Sequence, residues 1–378
     1  MRLNLLHLNT LNKYASQRKV KMIELSASIF SFIVWRSGEK DNNMRQVLNK
    51  QKQNIKLTFL VLFVFLSLWA GVEFTHGFGA MNGSSKTSPI LKNADKGKFS
   101  VLTYNIAGLP QIISSAKTER AESIADIGQK LNQYDIVHVQ EDFNYNDNLY
   151  ENGNLHPFRS STKGGVPFGD GLNTLSKYPV TDIRRIPWEA CTGADCLTPK
   201  GFSYSRIEVA KNVFIDFYNV HANAFNHLEA AAARRQNIQQ LSAYIKAHSF
   251  GNAVVVMGDL NAHYSFSYDN IRELLAENHL EDSWIFLKHN GNFPISVMQL
   301  PDNDILKLDD QSETIDKILY RSSSQIQLNP SDYNLEKYLF TNLKGMPLSD
   351  HNPVSVTFSW SLENTIPEMS AAIDNMQK

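Results

Sequence analysis

Hydrophobic and polar positions change their period along this chain. From Phe99 onward, short runs rich in β-branched and aromatic residues alternate with longer runs of helical period. The β-rich runs are FSVLTYN (99–105), DIVHVQ (135–140), SYSRIEV (203–209), VFIDFYNVH (213–221), AVVVMGD (253–259), TIDKILY (314–320) and PVSVTFSW (353–360). Helices are predicted at Thr118–Gln133, Leu228–His248 and Tyr268–Asn278. Strands interleaved with covering helices predict an α/β fold, and Ala253–Met257, apolar throughout, predicts a strand buried on both faces. This domain is expected to span residues 99–362, with a short tail at 363–378.

The chain upstream follows no such alternation. Residues 1–56 form a basic leader, and Leu57–Val72 (LTFLVLFVFLSLWAGV) carries no charge. With Arg45, Lys50, Lys52 and Lys56 before it, the segment reads as an export signal, its positive flank cytoplasmic and the chain after Val72 outside or lumenal. Its length falls between a signal-peptide core and a full membrane span, so cleaved signal and retained anchor both stand. Secreted and membrane-anchored locations are the two expectations. Residues 73–98 are read as a linker, since 79–98 is polar, contains Gly and Ser, and has no period.

Composition then narrows the class. With 42% hydrophobic, 11% aromatic and 20% charged residues, the chain has the apolar material for a large core, which excludes disorder or coiled coil as its main architecture. The net charge of −1 conceals an asymmetry: residues 1–98 hold 15 Lys and Arg against 5 Asp and Glu, and residues 99–378 hold 22 against 33. An acidic domain repels polyanions, which disfavours nucleic acid as a partner. The two cysteines, Cys191 and Cys196 in CTGADC, favour a small disulfide loop, which export permits, over a zinc site lacking a second ligand pair.

The predicted strands end in polar residues: Asn105, Glu141, His221, Asp259 with Asn261, Asp316, and Asp350 with His351 before the last strand. Each alone reads as a turn residue, a cap or a structural histidine. Together they populate the strand edge where open α/β folds form their sites. Carboxylate and amide oxygens without thiolates suit Mg²⁺ or Mn²⁺ bridging to a substrate phosphate, and two histidines supply an acid or base. The set points to metal-assisted phosphoester hydrolysis. A serine hydrolase fits poorly, because the chain has no GxSxG elbow; it also has no Walker or GxGxxG motif.

The segments LTYNIAGLP (102–110), VHVQEDF (137–143), DGLNTLSKYPV (170–180), YNVHANA (218–224), VVMGDLNA (255–262), TIDKILYRS (314–322) and LSDHNPV (348–354) resemble, in order, the motifs of the endonuclease/exonuclease/phosphatase superfamily. That superfamily includes pancreatic-type deoxyribonuclease, abasic-site endonucleases, inositol polyphosphate 5-phosphatases and neutral sphingomyelinases. The resemblance covers about Phe99 to Trp360 and implies a DNase I-like four-layer α/β sandwich of two packed mixed β-sheets flanked by helices. It implies Glu141 as a metal ligand with Asn105 and Asp350 beside the metal, and Asp259 with Asn261 orienting the attacking water and holding phosphate. It further implies His351 as base or transition-state stabiliser, oriented by Asp316, and His221 on a phosphoryl oxygen.

The fold does not choose the phosphoester. Export, the acidic domain and the closeness of DGLNTLSKYPV and TIDKILYRS to neutral sphingomyelinase motifs favour a phospholipid headgroup. A secreted nuclease or an inositol polyphosphate phosphatase is the alternative, and a catalytically dead binding module comes last, because Glu141, His221, Asp259 and His351 are all in place. Tyr264, Phe266 and Tyr268 are expected to pack under the next helix, Arg234 and Arg235 to lie on a solvated helix face, and LPDNDILKLDD to form a surface or specificity loop.

Overall fold

The computed structural model describes residues 91–166, 169–301 and 304–363. The export segment 57–72, its leader and the tail beyond Glu363 lie outside the described residues. Among the described residues no helix is long and apolar enough to cross a membrane.

Among the described residues, twelve strands form two six-stranded sheets. The first contains β1 (Lys96–Asn105), β2 (Ile136–Gln140), β3 (Phe158–Arg159), β4 (Asn173–Ser176), β11 (Ile326–Leu335) and β12 (Val354–Leu362), in the order β11-β12-β1-β2-β4-β3. The second contains β5 (Val180–Pro187), β6 (Gly201–Ala210), β7 (Val213–His221), β8 (Val254–Asp259), β9 (Glu281–Asp282) and β10 (Asp316–Arg321), in the order β5-β6-β7-β8-β10-β9. Each sheet has one parallel pair at its centre, β1 with β2 and β7 with β8, and its other pairs are antiparallel. The expected sandwich of two mixed sheets with flanking helices is what forms. β1 starts three residues earlier than its apolar run, because Lys96–Lys98 pair with Ser359–Ser361 at the solvated end of the ladder.

Alternation along β1 shows how the layers arise. Phe99 and Val101 join the core between the sheets, where Phe99 meets Phe217 and Phe358 with ring centroids 6.1 and 5.6 Å apart. Leu102 and Tyr104 join a second cluster with Ile124 and Ile127 of α1 (Arg120–Lys130). A strand covered on both faces must be apolar at successive positions, as β1 and β8 are. α2 (Asn146–Glu151) adds Leu149 and Tyr150 to that second cluster. On the other side α3 (Leu228–His248) sets Ile238, Leu241 and Ile245 against the second sheet, while α4 (Ile271–Asn278) and α5 (Ser283–His289) add Leu274 and Trp284.

The inter-sheet space turns polar towards one end. Thr103 and Gln140 meet there, the Gln140 amide donates to Asn219 Oδ1 at 2.7 Å, and the Asn219 amide donates to the carbonyls of Val139 and Asn173, both at 3.0 Å. These bonds run from β2 to β7 and fix the sheets' relative register just beneath the strand-end residues. Buried amides so fully paired specify one arrangement, since any slip would strand them without partners.

Candidate active site

Register alone gathers most of the strand-end residues. Asn105 pairs with Gln140 across β1 and β2, His221 with Asp259 across β7 and β8, and Asp259 with Asp316 across β8 and β10. Both parallel pairs therefore end at the same edge of the sandwich. The loop before β12 brings Asp350 and His351 to it, held by Ser349, whose hydroxyl donates to the Asn105 carbonyl at 2.7 Å and lies 3.3 Å from Asp350 Oδ1.

The side chains converge on Asp259. The Asn105 amide donates to Asp259 Oδ2 at 3.2 Å and to Glu141 Oε1 at 3.1 Å. His221 Nε2 lies 3.4 Å from Asp259 Oδ2, and His351 Nε2 lies 3.8 Å from the same oxygen. His351 Nδ1 is bonded to Asp316 Oδ2 at 2.8 Å, which fixes the ring. Asn261 donates its backbone N–H to Asp259 Oδ1 at 3.0 Å and its amide to the Ala222 carbonyl at 3.2 Å. Every strand-end residue singled out in the sequence thus lies at this edge, with Asp350 at its margin. The predicted disulfide is present between Cys191 and Cys196.

Ala107, Glu141 and Asn261 have φ of 48°, 59° and 50°, left-handed values uncommon for residues with a side chain. Glu141 is clamped in that conformation by two glycines. A side chain at Gly108 would collide with the Glu141 carbonyl, and one at Gly171, itself at φ 66°, would come within 2.9 Å of the Glu141 Cα.

Burial without full charge compensation shapes the electrostatics. Burial lifts the Glu141 carboxyl above its usual range, Lys200 opposes that, and Asp350 adds to it. Burial likewise lifts Asp259, with Asp316 adding to the rise and His351 opposing it. His351 is lowered by burial, but Asp316 and Asp259 outweigh that and raise it overall. His221 is pushed well below its ordinary value by burial and by the charges of Lys200 and His351. Burial and neighbouring charges thus push the two histidines in opposite directions, a separation suited to two different tasks.

The residues offer hard oxygen donors to a divalent cation. Asp259, Asp316 and His351 place one ligand atom each within 4.8 Å of one another. Asp316 Oδ1 is buried and unpartnered, and among the described residues Glu141 has no ion-pair partner within 4 Å. A carboxylate desolvated without a direct ion-pair partner fits a cation.

Three contributors carried no signal in the sequence. Arg120, fully buried at the start of α1, donates to the carbonyls of Ile106 (2.8 Å), Ala107 (3.0 Å) and Leu348 (2.9 Å), and so ties the Asn105 loop to the His351 loop. Lys200, paired with Asp195 at 2.9 Å, turns its charge on Glu141, Asp259 and His221. Trp188 bonds the His221 carbonyl at 2.7 Å. The solvated face expected for Arg234 is not what forms. Arg234 is fully buried and paired with Asp269 at 2.7 Å, because the loop after β7 offers it the carbonyls of Asn223 and Phe225. Of the three aromatics expected to pack inward, Tyr264 and Phe266 are buried and Tyr268 is half-buried.

A fold of two mixed sheets with acidic, amide and imidazole groups converging on one edge is shared by a family of phosphoester-processing proteins. The sequence profile of Endonuclease/Exonuclease/phosphatase family 2 matches residues 111–291, so that the chain is similar to this family over nearly half its length. Sphingomyelinases of Mycobacterium tuberculosis and Mycobacterium bovis are 38% identical to it over 275 residues, which cover 71% of this chain and 54% of theirs. The chain spans about half the length of these relatives. The crystal structure of sphingomyelinase C from Streptomyces griseocarneus superposes with TM-score 0.50 at 20% identity, covering 69% of this chain and 99% of that one. D. rerio TDP2 complexed with single strand DNA product superposes with TM-score 0.51 at 15% identity, covering 69% and 98%. At these identities the two structures bear on the fold alone.

Proposed function

We propose that this chain is a divalent-metal-dependent phosphodiesterase that cleaves a phospholipid headgroup ester in the manner of a sphingomyelinase. Its catalytic domain acts outside the cytosol, either secreted or tethered through residues 57–72. The observation that carries the reading is the His351 ring, held by Asp316 at 2.8 Å and facing Asp259, at the edge where Glu141 and Asn105 meet. The 38% identity to sphingomyelinases favours the lipid substrate over the nucleic acid of more distant relatives.

In this reading Asp316 fixes the His351 tautomer and leaves Nε2 to move the proton of the reacting water. Asp259 orients that water, and the neutral His221 supplies an N–H to a phosphoryl oxygen. The Asn261 amide, with one N–H on the Ala222 carbonyl, holds the phosphate with the other in a charge-assisted bond. Water adds to phosphorus, and the bond to the lipid alcohol breaks as its oxygen is protonated. Glu141 and Asn105, with Asp350 nearby, would hold Mg²⁺ or Mn²⁺, which contributes charge stabilisation at the phosphoryl oxygens.

Hydrolysis by the purified chain with Mg²⁺ tests this across sphingomyelin vesicles, single- and double-stranded DNA, and an inositol polyphosphate. Phosphocholine release with the other substrates intact is expected. DNA cleavage or inositol phosphate hydrolysis in its place would reassign the substrate.

A further inference from the structure

A cavity of about 450 Å³ opens beside the catalytic edge, and no residue of the reaction described above lines it. Its walls are nonetheless built from the neighbours of those residues. Ile315 precedes Asp316, and its carbonyl accepts the N–H of Leu260, next to Asp259, at 3.0 Å. The Ile305 carbonyl accepts the amide of Asn352, next to His351, at 3.2 Å. His263 follows Asn261 by two positions. The cavity therefore abuts the site on the Asp316 and His351 side.

Leu300, Ile305, Leu308 and Ile315 form an apolar wall of this cavity, the rest of its lining is largely polar, and among the described residues no lysine or arginine contributes. Its one carboxylate is already satisfied within the wall: Glu313 accepts from the Ser265 hydroxyl at 2.6 Å and pairs with Lys317 at 3.3 Å. Asn226, His263 and Ser312 add a few polar groups beside that apolar wall, a mix usual for small-molecule sites, and the cavity falls in their size range. Apolar side chains also stand exposed next to it. Phe225 and Leu228 flank the lining residue Asn226, and Ile295 and Met298 precede Leu300 on a loop strapped to the lining residue Ser265 by the Val297 N–H at 2.8 Å. Exposed apolar groups clustered round an opening mark a binding site more often than chance surface exposure.

We propose that this cavity receives the alkyl part of the alcohol that leaves the phosphorus, and so selects lipid diesters over nucleic acid and inositol phosphates. The proposal rests on the phosphodiesterase reading and assigns Ile305, Leu308 and Ile315 as specificity residues. Removing one buried aliphatic contact weakens such discrimination by about tenfold or more.

The test compares Ile305→Asn, Ile305→Leu and the unaltered full chain, with Mg²⁺, on a water-soluble short-chain sphingomyelin and on p-nitrophenyl phosphorylcholine. The second substrate carries the same headgroup without an alkyl chain. Ile305→Asn is expected to lose about tenfold in kcat/KM on the short-chain lipid, mostly through KM, to keep its rate on p-nitrophenyl phosphorylcholine within about twofold, and to be rescued by Ile305→Leu. Equal losses on both substrates, or none on either, would overturn the cavity assignment while leaving the phosphodiesterase reading intact. If the unaltered chain cleaves neither, the phosphodiesterase reading falls and the cavity proposal with it.

Discussion

The chemistry proposed here depends on side chains whose protonation is set by burial and by one another. Glu141→Ala, Asp259→Ala and His351→Ala are each expected to lower turnover by about two to four orders of magnitude, with unchanged far-ultraviolet circular dichroism and melting cooperativity. Near-normal rates in all three would remove the site assignment. Asp316→Asn separates orientation from charge. The Asp316 carboxylate raises His351, so its loss lowers that pKa, and the neutral imidazole persists to more acidic pH. The acid limb of the pH–kcat profile should move to lower pH while the maximum falls; an unmoved limb would show that His351 does not govern it. At this scale the sequence was most readable where a polar residue ended an apolar run, because register carries such residues to a common edge. Arg120, Lys200 and Arg234 were unreadable for one shared reason. Lysine and arginine are mostly exposed, and only the carbonyls and carboxylates of distant segments make their burial favourable.

Elements divide along similar lines. The strands anticipated from apolar runs, β1, β2, β6, β7, β8, β10 and β12, lie inside their sheets. The four edge strands β3, β5, β9 and β11 were not anticipated, and neither was β4, although its residues lie within a recognised motif. An edge strand is half solvated and needs no continuous apolar run. β11 shows this directly: IQLNPSDYNL alternates buried with exposed positions, contains Pro330 and bulges between Ser331 and Asn334, so that it reads as a turn-rich loop. Helix α3 forms with the bounds read from the sequence, Leu228–His248, over a run of 21 residues free of Gly and Pro. α1 is where an element serves the site from outside. Arg120→Met would leave the buried Ile106 and Leu348 carbonyls without a donor, at about 1–3 kcal/mol each, so a loss of at least about 2 kcal/mol is expected in denaturant unfolding. Its activity should fall further than stability alone explains, since the Asn105 and His351 loops lose their shared tether. A variant of full stability would contradict this account of α1.

For the whole molecule, the inter-sheet core makes stability pH-dependent. His138 lies in that core beside Phe217, and burial pushes its pKa down to about 3; burial pushes His156 down to about 4. Both rings fold neutral, whereas in the unfolded chain they titrate near 6.5. Between pH 6.5 and those lower values the unfolded state binds more protons, so these residues' contribution is full above 6.5 and is lost as pH falls. Denaturant midpoints should therefore drop less steeply on acidification in His138→Leu than in the unaltered chain, and parallel curves would show that His138 does not contribute. The architecture was legible from seven ordered segments, while the asymmetry of charge and the segment 57–72 bear on where the domain works.

Phosphocholine release from sphingomyelin vesicles, measured for the full chain and for His351→Ala, with Mg²⁺ and with EDTA, tests the central claim most directly. The account predicts release by the unaltered chain with Mg²⁺, its abolition by EDTA, and a loss of about two orders of magnitude or more in His351→Ala. Release that survives EDTA, or that His351→Ala retains, would contradict the metal-assisted, histidine-dependent phosphodiesterase described here.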